Sequence, residues 1–288
     1  MSAIFGPAGN ADSFPYKSSA DAPRWLAGLG LDAYEYQCGK GVNVKEDTAR
    51  RIGAAAQAAG IRLSLHAPYF INLANPDPDS LQKTIGYITA ACEAADWMGA
   101  TRVIIHSGAL IKRTRREALD IAILSLRAVL AACDGAGYGH IALCPETMGK
   151  INQLGDLDEV LELCQLDERL LPCIDFGHRY ARSLGELEGH EACVRMLNRI
   201  REVLGEERAR TFHSHFSKIQ FTPNGGEKMH LTFAQDDFGP DPAPLMAEVA
   251  PRGWSPTFIC ESAGTQAEDA LTMKKLYQAA APGGEAHP

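Results

Sequence analysis

Eight short apolar runs recur along the chain, separated for the most part by stretches with helical periodicity, and this alternation limits its possible folds more than any other feature. The runs are Ile4-Phe5, Ala33 to Tyr36, Arg62 to His66, Val103 to His106, Ile141 to Cys144, Leu171 to Asp175, Thr211 to His215 and Thr257 to Glu261. Helical spacing of apolar residues fills Asp47 to Ala59, Ser80 to Met98, Arg116 to Cys133, Leu157 to Leu166, Glu191 to Val203 and Ala267 to Ala279. Successive runs lie about 30 to 45 residues apart, room for one strand, one helix and two loops. Eight such units use up the 288 residues. The pattern predicts an α/β fold, a single (β/α)8 barrel over residues 1–281, with the polar stretch 282–288 as a flexible tail. An open doubly wound sheet is the runner-up, but Gly6-Pro7-Ala8-Gly9 does not match the Gly-x-Gly-x-x-Gly phosphate turn such sheets often carry. Helix signals agree: Asp77 can cap a helix that Pro78 opens and Gly99 ends.

Composition excludes several classes. A net charge of −8 argues against a basic protein that coats nucleic acid, and 45% hydrophobic residues supply an ample core. The first residues lack the basic-then-apolar order of a secretory signal, and no run approaches the ~18 apolar residues of a membrane span. A cytoplasmic protein without a membrane partner is expected, as a monomer. The eight cysteines include no Cys-x-x-Cys pair, and Cys144, Cys173 and Cys260 sit in apolar runs, which reads as small buried hydrophobes in a reducing compartment.

The chemistry lies at the run ends. His66 ends the third run, His106 the fourth, Asp175 the sixth and Glu261 the eighth; Glu146 follows the fifth, and His213 stands in the seventh. In a barrel the carboxyl ends of all strands surround one pocket, so these six converge there. Imidazoles and ionised carboxylates are ligands for borderline divalent ions such as zinc, and three carboxylates crowded together without a cation would repel. His178, three residues beyond Asp175, and His230, in a long loop after the seventh run, can reach the same pocket. His215 shares the face of His213, and the alternation leaves its role open between ligand, support and filler. His140 and His190 lie at the opposite end or on a helix start and read as structural.

These residues resemble the endonuclease IV family, within the xylose-isomerase-like barrels, over nearly the whole chain. The specific parts are Leu65 to Ala74 (LHAPYFINLA), Ile105-His106-Ser107-Gly108, Pro145-Glu146-Thr147, Ile174-Asp175 with His178, His213 to Lys218, and Cys260-Glu261-Ser262. The resemblance implies cleavage of DNA beside abasic sites by a zinc cluster. It implies that His66, His106 and Glu146 hold one ion, that Glu146, Asp175, His213 and Glu261 hold a second, and that His178 and His230 hold a third. Two ions are expected. The family's carboxylate for the third falls on Lys228, whose ammonium has no lone pair to offer, leaving Glu227, Asp236 or Asp237 as substitutes. The family's Arg-bearing loop after the second strand is replaced by Gln37-Cys38-Gly39-Lys40-Gly41.

The implied chemistry is phosphodiester hydrolysis: zinc lowers the pKa of its water to ~7 from about 15.7, and an ion pair bridged by Glu146 suits in-line attack. Glu261 and Glu146 are the candidate catalytic carboxylates. Candidate DNA contacts are Tyr69, by stacking, and Lys112, Arg113, Arg115 and Arg116, with Lys150, Arg179, Arg182, Lys218 and Lys228 also after strand ends. Two rivals remain. A sugar isomerase or epimerase with Mn2+ or Mg2+ would use a quartet at Glu146, Asp175, His213 and Glu261 but has no need of four further imidazoles; a metal-binding barrel without incision activity is the other.

Overall fold

Strand and helix alternate in the computed structural model, which describes residues 2–281; the tail expected at 282–288 lies outside the described residues. The order is β1 (Ile4–Pro7), a 3-10 turn (Ser19–Asp21), α1 (Ala22–Leu29), β2 (Ala33–Gln37), α2 (Glu46–Ala59), β3 (Arg62–His66), α3 (Pro78–Met98), β4 (Arg102–His106), α4 (Arg115–Gly135) and β5 (Ala142–Glu146). Then come α5 (Leu157–Cys164), β6 (Cys173–Asp175), α6 (Phe176–Arg182), α7 (Gly189–Leu204), α8 (Glu206–Arg210), β7 (His213–Phe216), β8 (Lys218–Thr222), β9 (Gly226–Leu231), α9 (Pro242–Arg252), β10 (Thr257–Cys260) and α10 (Gln266–Ala280).

Eight strands form one parallel sheet in the spatial order β1-β10-β7-β6-β5-β4-β3-β2. Bonds from Gly9 N to Glu35 O (2.9 Å) and from Asp32 N to Phe5 O (2.8 Å) bring β1 against β2 and close the circle. The predicted (β/α)8 barrel is the fold observed. The remaining two strands, β8 and β9, pair as an antiparallel hairpin after β7, in a segment whose residues read as loop although Asn224-Gly225 marks its turn.

Alternation along each strand sorts the side chains. Phe5, Leu65, Val103, Ile105, Leu143, Ile174, Phe216 and Phe258 point outward into the main apolar core, shared with Leu26, Ile52, Ile88, Leu126, Val129 and Ile200 of the helices. The lumen holds only small apolar clusters, one of them Ile104, Cys144 and Cys173, beneath polar residues. All eight cysteines are buried free thiols, among them Cys144, Cys173 and Cys260, whose apolar runs predict it. Loops start and stop where caps dictate: Asp77 accepts from Ser80 N at 2.9 Å, Gly99 closes α3 in the left-handed conformation, and capping boxes open α4 (Thr114, Glu117) and α5 (Asp156, Glu159).

Closure depends on Gly6. A Cβ there would stand 1.9 Å from the Ala33 carbonyl oxygen, a backbone atom of the strand across the seam. Gly6→Ala should therefore cost at least about 1–3 kcal/mol and lower Tm by several degrees in thermal unfolding followed by circular dichroism. An unchanged Tm would show that the seam tolerates the methyl group.

Candidate metal centre

The lumen-facing positions at the carboxyl ends of the strands converge on Glu146. It ends β5 beside His106 of β4, and its buried carboxylate is the hub. Glu146 Oε2 lies 3.3 Å from Nε2 of both His66 and His106. Its Oε1 lies 3.0 Å from Nδ1 of His215 and 3.4 Å from Nδ1 of His178. Four sets of ligand-type atoms result, each with its members within 4.8 Å of one another: His66, Glu146 and His215; Glu146, Asp175, His215 and Glu261; His178, Glu227 and His230; and, away from Glu146, Cys173, His213 and His215.

Backbone carbonyls orient the imidazoles. Nδ1–H of His66 donates to Ala67 O (2.7 Å), that of His106 to Tyr69 O (2.7 Å) and that of His178 to Thr147 O (2.9 Å). A carbonyl only accepts, so each Nδ1 carries a proton and Nε2 is the nitrogen that faces the pocket, able to ligate once any proton of its own is displaced. Ser217 Oγ holds His230 Nδ1 at 2.8 Å. Asp175 Oδ1 accepts from His178 N (2.7 Å), but its Oδ2 is buried without a hydrogen-bond partner. Such an orphaned carboxylate oxygen fits a divalent cation, and the donor set of nitrogen and oxygen atoms fits zinc, manganese or magnesium.

Charges follow from this geometry. Burial would raise the pKa of Glu146, yet His215, His106 and His178 outweigh it and hold the carboxyl well below the usual range. Burial lowers His66, but its bond to Glu146 prevails and pushes the imidazole up to about 8. Asp175 is raised, mainly by burial, although His178 opposes this.

The histidine of β7 that reaches Glu146 is His215, whereas His213, expected there, groups with Cys173 and His215 instead. The register pairs Asp175 with His215, whereas His213 pairs with Cys173 one layer deeper. There its Nε2 donates to Glu35 Oε2 (2.9 Å), and burial drives its pKa down to about 4. The two residues share a face, so alternation alone could not separate them; depth along the barrel axis did. Glu35, fully buried on β2, escaped the sequence reading, though a lone Glu between Tyr34 and Tyr36 in an apolar run was its signal.

Glu227 stands where Lys228 could not serve. Residues 227 and 230 are three apart and would ordinarily face opposite sides of a strand. The hairpin register jumps from Gln220–Met229 to Phe221–Glu227, leaving Lys228 as the extra residue of a bulge and returning Glu227 to the face of His230. Glu227 Oε2 is 3.5 Å from His178 Nε2. Asp236, the other substitute considered, instead accepts from the buried Lys218 amine at 3.0 Å.

Tyr69 is 52% exposed and lines a cavity of about 320 Å3 over the centre, with Lys150 and Glu261 also on its wall. Lys112 is exposed and Arg113 half-buried on the loop before α4. Arg115 is bound to Glu159 and Asp156, and Arg116 to Asp120 and Glu162, so these two candidate DNA contacts are taken up by acidic neighbours. Arg182 braces the loop after β5 through the carbonyls of Met148, Lys150 and Gln153, and Arg179 lines a separate cavity outside the barrel.

Residues 23–279 match the model of the xylose isomerase-like TIM barrel family, and the chain belongs to it. A Methanocaldococcus jannaschii relative, uncharacterized protein MJ0133, is 31% identical over 271 residues, covering 94% of this chain and 96% of its own. A probable endonuclease 4 of Mycoplasma pneumoniae is 34% identical over 119 residues, 40% of either chain. Among solved structures, endonuclease IV of Thermus thermophilus superposes with a TM-score of 0.68 at 19% identity over 96% of this chain and 98% of its own. A D-tagatose 3-epimerase-like protein does so with 0.70 at 17% identity over 95% of both. At such identities the two structures share the fold, and the chemistry must be argued from the site. Among the described residues no helix is long and apolar enough to cross a membrane.

An ion entering the centre must displace the proton that His66 holds up to about pH 8. Divalent-metal affinity should therefore rise from about pH 6 to about pH 8, with proton release on binding, in calorimetric titrations run in buffers of different ionisation enthalpy. Equal affinity at both ends would contradict this assignment.

Proposed function

We propose that the protein is a zinc-dependent phosphodiester hydrolase of the endonuclease IV type that cleaves DNA at abasic sites. The observation that carries this reading is the third ligand set, His178, Glu227 and His230, beside the two sets that share Glu146. A one-metal sugar isomerase or epimerase would use the quartet Glu146, Asp175, His215 and Glu261 and leave those three, with His66 and His106, without a purpose. The partial likeness to a probable endonuclease 4 supports the same reading.

Zinc bound there would supply a hydroxide equivalent near neutrality and positive charge for a leaving oxygen. The chain's own residues do the rest. Glu146, reached by imidazoles on both of its oxygens, is the carboxylate able to bridge two positions. Glu261 is partly exposed on the cavity wall, 3.6 Å from His215 Nδ1, and is set to orient a water and take its proton. Tyr69 offers a face for stacking on a base or sugar. Lys112, Arg113, Lys150 and Lys228 form no ion pair among the described residues and meet the phosphates, which offsets the overall charge of −8.

Zinc-loaded protein should nick a duplex containing one abasic site, leave an intact duplex whole and lose activity to a chelator. Glu261→Gln should lower turnover by at least about a hundredfold without changing the circular dichroism spectrum; an active variant would remove Glu261 from the mechanism. Zinc-holding protein that does not nick would refute the DNA substrate.

Elemental analysis should find two or three zinc ions per chain. Glu227→Ala should lower that number by one while Lys228→Ala keeps it, and a wild-type count of one would favour the sugar enzyme.

A further inference from the structure

Beneath the centre, Glu35 is a fully buried carboxylate that none of the four ligand sets includes. It receives four donors, two on each oxygen. Oε1 accepts from His215 Nε2 (2.9 Å) and Gln37 Nε2 (3.0 Å), and Oε2 accepts from Ser64 Oγ (2.8 Å) and His213 Nε2 (2.9 Å). An ionised carboxylate has about four acceptor positions and no proton to give. With all of them filled, each partner must be the donor, so Nε2 of His215 carries a hydrogen whatever happens at its other nitrogen.

We infer that Glu35 is a positioning residue: by accepting Nε2–H of His215 it turns Nδ1 of that ring toward Glu146, Asp175 and Glu261 and makes Nδ1 the ligating atom. The inference rests on the metal reading of the site. His66, His106 and His178 are held by backbone carbonyls, which any residue could provide, whereas His215 depends on one side chain. His213 and Ser64 reach only the opposite oxygen, Oε2, and not the one that accepts from His215. Carboxylate-to-histidine contacts of this kind also raise the basicity of the ligating nitrogen.

The test uses the full chain, loaded with zinc, as wild type, Glu35→Gln and Ser64→Ala. Glutamine keeps the shape but presents an N–H2 group where one histidine needs an acceptor. Zinc affinity by chelator competition should fall about 10–100-fold in Glu35→Gln, and the Nε2–H resonance of His215 in 15N–1H spectra should be lost. Ser64→Ala, which leaves the His215 contact in place, should bind zinc like the wild type. Wild-type affinity together with an unchanged Nε2–H signal in a folded Glu35→Gln protein would overturn the inference. So would an equal loss in Ser64→Ala, which would make the effect one of general polar packing. If Glu35→Gln does not fold, Glu35→Asp carries the same comparison, since it keeps the charge but withdraws it by one methylene. A wild-type chain that takes up no zinc would sink the metal reading, and the Nε2–H signal of the metal-free protein would still decide whether Glu35 orients the ring.

Discussion

A buried carboxylate surrounded by imidazoles is the interaction on which the rest of this structure depends. Glu146 is about 1% exposed, and an isolated carboxylate at that depth would become neutral. It stays ionised because nitrogens of His66, His106, His178 and His215 stand within 3.4 Å of its two oxygens. No single helix or strand could bring four such groups to one point. A closed parallel barrel can, because each strand end contributes one inward side chain to the same ring.

That ring divides the molecule by chemistry as well as by space. Outward-facing residues of the strands and the buried faces of the helices make the apolar core that stabilises the barrel, while the upper lumen is almost wholly polar. The buried imidazoles and carboxylates there have partners assigned by the backbone or by another side chain, with Asp175 Oδ2 and His213 Nδ1 as the exceptions. One of these exceptions faces the centre, where the proposed cation would answer it. The other lies a layer below, on a residue that supports Glu35. The result is an arrangement in two storeys: ligand-type groups above, and below them a carboxylate that sets the orientation of one of them.

Much of the fold was legible in the sequence. The eight runs predicted the strands to within a few residues, because a fully buried parallel strand must be an apolar run and must recur at the spacing of a β/α unit. The hairpin was not read, since its strands are half-exposed and carry Lys, Gln, Thr and Glu, which blur the alternation. Five of the six strand-end residues gather at the Glu146 carboxylate, because a strand end is visible as the place where an apolar run stops.

The sixth shows where the sequence stops being informative. His213 and His215 have the same residue type and the same face, and only the register of β7 against β6 sets one beside Asp175 and the other beside Cys173. Glu227 stood among three substitutes that the sequence offered, and the choice was open for a related reason: a one-residue bulge changes which side chains share a face, and a bulge is a property of two strands together. The amino-acid order determined the barrel, its polarity from core to pocket and the kinds of ligand at the strand ends, because burial and periodicity are local to each segment. Tertiary structure decided which histidine joins Glu146, which carboxylate joins His178 and His230, and that Glu35 lies beneath them, because depth and register exist only between strands.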